Sequence, residues 1–472
     1  MALKPISRRQ FAIFALSLPR GPNFDPLEEV SWWADERRQT VGLITFDPQS
    51  RDFGCLALRR DIDHRFRALP ATGGFASPEA ALTSLRAQMR PGEAPEPRPP
   101  GEPARPNFLG VPEGRVLNEK FSMLCTATHH FAALRTIAEI YFALDHPDDN
   151  FVGDFQTEGF DARLWELYLF AAFREQGIEV RQDFSSPDFH LDHQGMTVLV
   201  EAVTANPEQR MQPLSIQYAP APTDIDERML GAPAERFAKS LRSKMDRRYW
   251  ELPQAAGKPL ILAIADFHKS GSMTWSSTAL NAYLYGLKIV TGVQYGEKTA
   301  RSEPVERLQG SLGIPAGFFA QPDGNYISAV IGCTAATLGK FNRMGHLAGW
   351  TVPGLRLERS GILFCHSGNR LEPTDFRYDI DDPAYQQLWP DGELWCLELE
   401  VYHNPKALHP IPRQFFPGAT HFFERGGEIV FEGPWENRVL SSITALLPKT
   451  VHPDNGNVTE RPSATGADTA KK

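Results

Sequence analysis

The chain has 472 residues, of which 42% are hydrophobic and 23% are charged, and its formal net charge is −9. This length exceeds what one compact core usually holds, so we expect two or three domains. The acidic balance excludes a generally basic surface that coats nucleic acid, but it leaves room for a local basic groove, because association depends on where charge lies.

Residues 1–90 are predicted to form a small α+β module. Their apolar runs are short and separated by turn-forming residues, as is typical of strands, and one longer stretch has helical spacing. Nothing in this module suggests chemistry. Strands are predicted at 11–18, 41–46, 53–58 and 65–69, and a helix is predicted at 78–89.

The first of these runs, residues 11–18, follows Arg8-Arg9 and is similar to a twin-arginine export signal. It spans only about eight residues, and Pro19-Arg20 follows it where a small-residue cleavage site would be expected. A first strand of the folded module is therefore the preferred interpretation. No other run approaches the ~20 apolar residues that a membrane helix needs, so we expect no membrane contact.

Two segments are predicted to lie outside the folded domains. The tract 91–106 is nearly half proline and has few hydrogen-bond donors for a helix or a sheet, which predicts an extended linker. The tail 451–472 is polar and has no periodic apolar pattern, which predicts disorder.

Between the linker and the tail we predict two regions, 107–290 and 291–450. The first is a helical lead-in followed by an α/β core, in which a central mixed β-sheet is flanked by helices, and the second is rich in strands. The fold class is therefore α/β, in a multi-domain α+β arrangement. In the first region helices are predicted at 115–144, 160–176 and 234–250, and strands at 179–183, 189–191, 197–204 and 259–266. In the second region strands are predicted at 327–333, 361–365 and 395–402.

The five cysteines are scattered along the sequence without a CxxC pair. This pattern predicts a reduced, cytoplasmic protein with neither a disulfide framework nor a zinc ribbon. The sequence has no Walker A motif, no GxGxxG after a strand, no HExxH and no GxSxG. These absences argue against an ATPase, a dehydrogenase, a zinc protease and an esterase.

Three acidic residues stand in apolar surroundings. Glu166 lies in the apolar helix predicted at 160–176, Asp188 follows Pro187, and Glu201 lies inside an apolar strand. A carboxylate in such a setting is costly unless it is paired, protonated or bound to a cation. Two carboxylates from neighbouring strands, with a third from the packed helix, provide the oxygen ligands that Mg²⁺ or Mn²⁺ prefers. Such a metal activates water for the hydrolysis of a phosphodiester.

The order of these features resembles the core of the PD-(D/E)XK nuclease superfamily, whose fold is restriction-endonuclease-like. A helix carries a glutamate, a strand begins with Pro-Asp, the next strand carries a glutamate, and a helix and an apolar strand follow, over roughly residues 155–270. The resemblance implies that Asp188 and Glu201 bind the metal and that Glu166 assists them. It covers about a quarter of the chain.

One position departs from the family pattern. The family's lysine would lie two residues after the strand glutamate, on the same face of the strand, and here that position is Val203. In some members of the superfamily the lysine has moved to the following helix. Lys244 falls on the apolar face that Phe237 and Leu241 define in that helix, so it is the candidate replacement. The alternative is a lysine whose amine reaches the surface.

The same predicted helix is locally basic. Arg242, Arg247 and Arg248 lie in it or directly after it and are the candidate contacts to a nucleic-acid backbone. The alternative interpretation is the solvated face of an ordinary helix.

These features predict a metal-dependent nuclease that hydrolyses phosphodiester bonds in DNA or RNA with a carboxylate-bound Mg²⁺ or Mn²⁺. The alternative is a catalytically inactive protein of the same fold that serves as a nucleic-acid- or protein-binding module. Val203 favours this alternative, and the three retained carboxylates oppose it. In a third interpretation Glu166 is a helix-surface residue, Glu201 is the buried partner of an arginine, and function lies in the strand-rich half.

Overall fold

The computed structural model describes residues 3–449 except for 18–26, 91–93, 208–217, 295–296, 311–312 and 368–369. The tail predicted to be disordered, 451–472, lies outside the described residues. Helices and several mixed and antiparallel sheets make up the described part, so the prediction of a mixed α+β class is confirmed.

The first sheet is built entirely from the first 75 residues, and every strand pair in it is antiparallel. One helix packs on the middle of this sheet because its apolar residues, Ala81 and Leu85, are fully buried there. The strands are β1 (Lys4–Ile6), β2 (Glu28–Ala34), β3 (Thr40–Asp47), β4 (Asp52–Arg60), β5 (Phe66–Ala68) and β6 (Thr72–Phe75), and the helices are α1 (Arg8–Phe14) and α2 (Pro78–Gln88).

The prediction of a strand at 11–18 is wrong, because residues 11–14 belong to helix α1. The Ser7 side chain accepts a hydrogen bond from the Gln10 N–H and so caps the helix. Phe11 and Phe14, one turn apart, are both buried. A short apolar run does not distinguish a strand from a buried helix, and here the capping serine decides between them.

The described part of the predicted linker, 94–106, forms no helix and only one isolated bridge to the first sheet. Its charged residues are nevertheless tied to the first module. Arg98 donates to both carboxylate oxygens of Asp63 at 2.5 and 3.0 Å, and Glu102 accepts from Arg67 at 2.9 Å. The tract therefore lies along the module as an extended, anchored strap.

A helical layer precedes the central sheet. Its residues form the largest apolar core of the described chain, in which Trp165, Tyr168 and Phe173 are fully buried. The helices are α3 (Glu119–Thr126), α4 (Phe131–Ala143), α5 (Phe151–Gln156) and α6 (Phe160–Glu175). After them come β7 (Glu179–Arg181), β8 (Phe189–His193), β9 (Met196–Ala205), α7 (Ile225–Leu230), α8 (Ala232–Met245), β10 (Leu260–Asp266) and α9 (Met273–Tyr285).

Four strands of the C-terminal half complete the same central sheet. The strands run in the order β18-β17-β16-β13-β10-β9-β8-β7, with β9, β10 and β13 parallel to one another. The boundary predicted at residue 290 therefore does not divide this sheet. The remaining elements are β11 (Leu287–Gln294), β12 (Glu297–Pro304), β13 (Ala329–Cys333), α10 (Leu338–Leu347), β14 (Leu355–Ser367), β15 (Arg370–Asp379), α11 (Pro383–Gln386), β16 (Leu399–His403), β17 (Thr420–Arg425), β18 (Glu428–Glu432) and β19 (Asn437–Pro448).

The two faces of β9 bury different helices. Val198 and Val200 belong to the core that contains α6, whereas Leu199 and Val203 belong to the core that contains Phe237 of α8. This division follows from the period of two along a strand. Helices α6 and α8 therefore pack on opposite faces of the sheet, with β9 between them.

No helix among the described residues is long and apolar enough to cross a bilayer. The four cysteines whose side chains the structure describes, Cys55, Cys125, Cys333 and Cys396, are free thiols.

Candidate active site

Two of the predicted acids stand at the end of the ladder between β8 and β9. Its last pair is Phe189 with Val200. Asp188 directly precedes Phe189 and Glu201 directly follows Val200, so the two acids lie next to each other beyond this pair. The Ala202 N–H donates to Asp188 Oδ2 at 2.7 Å, which fixes this carboxylate against the β9 backbone.

A cleft of about 1130 Å³ lies along the edge of β9 beyond this point. The ladder with β8 covers Met196–Val200, whereas the second half of β9 pairs with β10 on its other side. Helices α5 and α6 supply one wall of the cleft and α8 supplies the other. All four residues predicted to be catalytic, Glu166, Asp188, Glu201 and Lys244, line it.

Glu201 is the buried acid at the base of the cleft, with a side chain only 3% exposed. Its Oε1 accepts hydrogen bonds from Lys244 Nζ at 2.5 Å and from the Tyr249 hydroxyl at 2.6 Å. Its Oε2 is buried and has no hydrogen-bond partner. A buried carboxylate oxygen without a partner is costly, so a cation or a further donor at this oxygen would be stabilising. Burial, together with the hydrogen bond to Glu201, raises the pKa of Tyr249.

Lys244 therefore points inward and does not extend to the surface. Its side chain is 18% exposed and its ammonium lies against Glu201. Val203, which occupies the position of the family's lysine, belongs to the apolar core beneath α8. The partner of Glu201 is thus a lysine and not the arginine of the third interpretation.

Asp188 has a strongly perturbed environment. Burial, and then the negative charges of Glu201 and Glu166, raise the pKa of Asp188 well above its usual range, while the Ala202 N–H and Lys244 oppose this shift. Clustered carboxylates that disfavour one another's charge are the environment in which a bound cation is most stabilising.

Glu166 reaches the cleft but is already paired. Arg163, one turn earlier on α6, donates to both Glu166 oxygens at 3.2 and 3.0 Å. The same guanidinium also contacts Asp148 and Asp154, each at 2.7 Å. Burial raises the pKa of Glu166, although Arg163 opposes the shift. The arrangement places Glu166 beside the two strand acids, in contact with an arginine.

The three arginines predicted to contact nucleic acid do not lie together. Arg247 lines the cleft, but Arg242 and Arg248 do not. Arg242 is exposed on the far side of α8, because two residues before Lys244 correspond to about 200° of helical rotation. Arg248 follows the end of α8 with a φ of 50° and donates to Glu251 at 2.8 Å.

Several residues of the site were not among those predicted from the sequence. Ser243 lines the cleft beside Arg247 and stands four residues before it, which is the spacing of one helical face. Arg163 stands three residues before Glu166, which is the spacing of a helical ion pair. Tyr249 had no local signal, because its contact with Glu201 spans 48 residues.

Among the described residues, no group of three or more His, Cys, Asp and Glu side chains is arranged to hold a metal ion. The observed geometry instead brings two acids, Asp188 and Glu201, into one cleft, where the charge of Glu201 acts on Asp188. Comparison of the chain with protein-family models, curated proteins and solved structures gave no match.

Proposed function

We propose that the protein is a metal-dependent nuclease that hydrolyses phosphodiester bonds in DNA or RNA. The observation that carries this proposal is the placement of Asp188 and Glu201 in one cleft, beside a lysine and with one buried glutamate oxygen unpartnered. A structural ion pair would not require this oxygen to be buried without a donor.

The donor set fits Mg²⁺ or Mn²⁺. Asp188 and Glu201 would hold the ion; both are oxygen donors, Asp188 directly before β8 and Glu201 within β9. Magnesium is commonly bound through one or two carboxylates, with water and substrate phosphate completing its octahedron, so a third protein ligand is not required. When bound, the ion supplies Lewis-acid stabilisation of the phosphate oxygens and lowers the pKa of water.

The side chains around this pair have separate roles in the proposal. The Lys244 ammonium lies next to Glu201 and would stabilise negative charge on the phosphate that enters the cleft. Tyr249 orients Glu201 through its hydroxyl. Glu166, held by Arg163, adds negative field at Asp188 and so favours a cation between the strands.

The arrangement of elements supports a restriction-endonuclease-like core. The order helix α6, strands β8 and β9, helix α8 and strand β10 brings Glu166, Asp188, Glu201 and Lys244 to one cleft. This is the arrangement that the resemblance to PD-(D/E)XK nucleases implies, with the lysine carried by the helix. The proposal includes nucleic acid as the partner and Mg²⁺ or Mn²⁺ as the cofactor. A cytoplasmic location also stays a prediction.

The alternative function is a catalytically inactive binding module of the same fold. The observation that favours it is Val203, a core residue where the family places its lysine. The position of Lys244 on Glu201 weighs against it, because a binding module would not need an ammonium at the base of its cleft.

The decisive experiment is a cleavage assay. The full chain is incubated with labelled single- and double-stranded DNA and RNA in Mg²⁺, Mn²⁺ or EDTA. We expect cleavage that requires the divalent ion and is lost in Glu201→Gln, a nearly isosteric change. A variant outside the cleft, Glu306→Gln, is the control, because Glu306 is exposed and does not line the cleft.

Cleavage equal in the wild-type chain and in Glu201→Gln would contradict the proposal, as would the absence of cleavage on every substrate. Binding of nucleic acid without cleavage would leave the inactive module as the function.

A further inference from the structure

The two walls of the cleft carry opposite charge. On the α5–α6 side the charged lining residues are Asp148, Asp154, Glu158 and Glu166, with the single cation Arg163. Asp148 and Asp154 are about half exposed, and Glu158 is exposed. This acidic wall keeps a net negative charge, because four carboxylates share one guanidinium.

On the α8 side the charged lining residues are all cations. Lys239, Lys244 and Arg247 line this wall, and Ser240 and Ser243 stand between them. Lys239 and Arg247 are exposed, so their charges are available to a ligand, whereas Lys244 is committed to Glu201 at the base. The basic wall runs along two turns of one helix.

The single cation of the acidic wall, Arg163, is not available to a phosphate. Arg163 is only 12% exposed and donates to Asp148, Asp154 and Glu166 at once. A second backbone placed against this wall would therefore meet carboxylates without a compensating donor. Like charges at such a surface oppose binding even where the opposite wall attracts it.

Resting on the proposed nuclease function, we propose that the cleft selects single-stranded nucleic acid. A single strand has one phosphate backbone, which the Lys239–Arg247 wall accommodates while the acidic wall faces solvent or base edges. A duplex presents two backbones at once, and when one lies at the basic wall the other approaches Asp148, Asp154 and Glu158. Repulsion between the acidic wall and this second backbone therefore opposes binding of a duplex.

The test compares binding of one sequence in three forms: a dye-labelled 20-nucleotide single-stranded DNA, the matching single-stranded RNA, and the blunt duplex DNA. Anisotropy is measured with the full-length Glu201→Gln chain in Mg²⁺, so that binding is read without cleavage. We expect the single strands to bind about ten-fold more tightly than the duplex. Glu158→Lys, added to this chain, should reduce that preference by about five-fold. Glu306→Lys, which changes the net charge equally on an exposed residue outside the cleft, should leave the preference unchanged.

Equal affinity for single strand and duplex, with cleavage by the wild-type chain intact, would overturn this inference and leave the proposed function standing. An equal effect of Glu158→Lys and Glu306→Lys would also overturn it, because the preference would then reflect net charge alone. If no form binds and the wild-type chain cleaves none of them, both this inference and the nuclease function fail.

Discussion

At the scale of single residues, the proposed chemistry depends on which groups bind the two carboxylate oxygens of Glu201. Burial of a carboxylate is costly unless donors or a cation compensate it. Lys244 and Tyr249 both donate to Oε1, which leaves Oε2 without a partner. One oxygen is therefore held in place by the protein, and in the proposed function the other one binds the cation.

Lys244→Met should lower the cleavage rate by about 10²–10³-fold, because it removes the only ammonium at the base of the described cleft. Rates are compared at saturating substrate, and circular dichroism reports whether the fold is retained. Lys239→Met is the matched control, since Lys239 lies on the same wall but is exposed. A loss of rate equal to that of the control would contradict the role assigned to Lys244.

At the scale of secondary-structure elements, the end of helix α8 determines which of two consecutive arginines faces the cleft. The helix ends at Met245, and Arg248 takes a left-handed backbone conformation beyond it. The two consecutive arginines consequently diverge: Arg247 lines the cleft, and Arg248 forms an ion pair with Glu251 at 2.7 Å.

Arg247→Gln should weaken binding of single-stranded DNA and reduce the slope of log affinity against log salt concentration by about 1, because one phosphate contact is lost. Arg248→Gln should change neither quantity. Both are measured by anisotropy titrations at several salt concentrations. Equal effects of the two variants would show that the residues contribute only through net charge.

A network of fully buried ion pairs joins helix α10 to the segment that precedes β16. Lys340 donates to Glu393 at 2.8 Å and to Glu398 at 2.9 Å, and all three side chains have no exposed surface. Arg343 and Arg359 complete the network. The three cations lower the pKa of Glu393 well below its usual range.

Lys340→Met should destabilise the protein by about 2–3 kcal/mol, because it removes the ammonium that donates to both buried carboxylates and leaves them only their arginine and tyrosine partners. Lys4→Met removes an exposed ion pair with Glu36 and should cost less than about 1 kcal/mol. The free energy of unfolding is measured in urea for both variants. A loss below about 1 kcal/mol for Lys340→Met would show that the network is not needed for stability.

At the scale of the whole molecule, the central sheet unites both halves of the chain, and one buried contact in its C-terminal strands is sensitive to pH. His403 on β16 and His421 on β17 are joined by a 2.8 Å hydrogen bond between Nε2 and Nδ1. Burial and the neighbouring His421 lower the pKa of His403 from 6.5 to about 3. Burial also lowers the pKa of His421.

A histidine whose pKa is lowered by folding binds more protons in the unfolded state, so its contribution to stability is complete above pH 6.5 and is lost as the pH falls toward 3. At pH 5, His403 alone should cost about 2 kcal/mol relative to pH 7. Between pH 7 and pH 5 the free energy of unfolding should fall in both chains, and the fall should be about 2 kcal/mol smaller in His403→Asn than in the wild-type chain. Parallel pH profiles for the two chains would contradict the assignment.

The amino-acid sequence by itself determined the features that depend on local pattern. The helix predicted at 160–176 is α6, and the strand predicted at 197–204 is β9. Both could be predicted because the apolar residues of each segment follow the pattern of one type of secondary structure. The three acids drew attention because their chain neighbours are apolar. The position of Lys244 on the apolar face of its helix followed from its spacing relative to Phe237 and Leu241, but the sequence left open whether its amine points inward or reaches the surface.

Only the tertiary structure decided the features that depend on contacts between distant residues. Three contacts in the cleft join residues 13 to 48 positions apart: the approach of Asp188 to Glu201, the ion pair from Lys244 and the hydrogen bond from Tyr249. The addition of C-terminal strands to the central sheet spans still longer distances. Local propensity does not encode such pairings, because they are selected by the burial of whole faces and the satisfaction of buried polar groups.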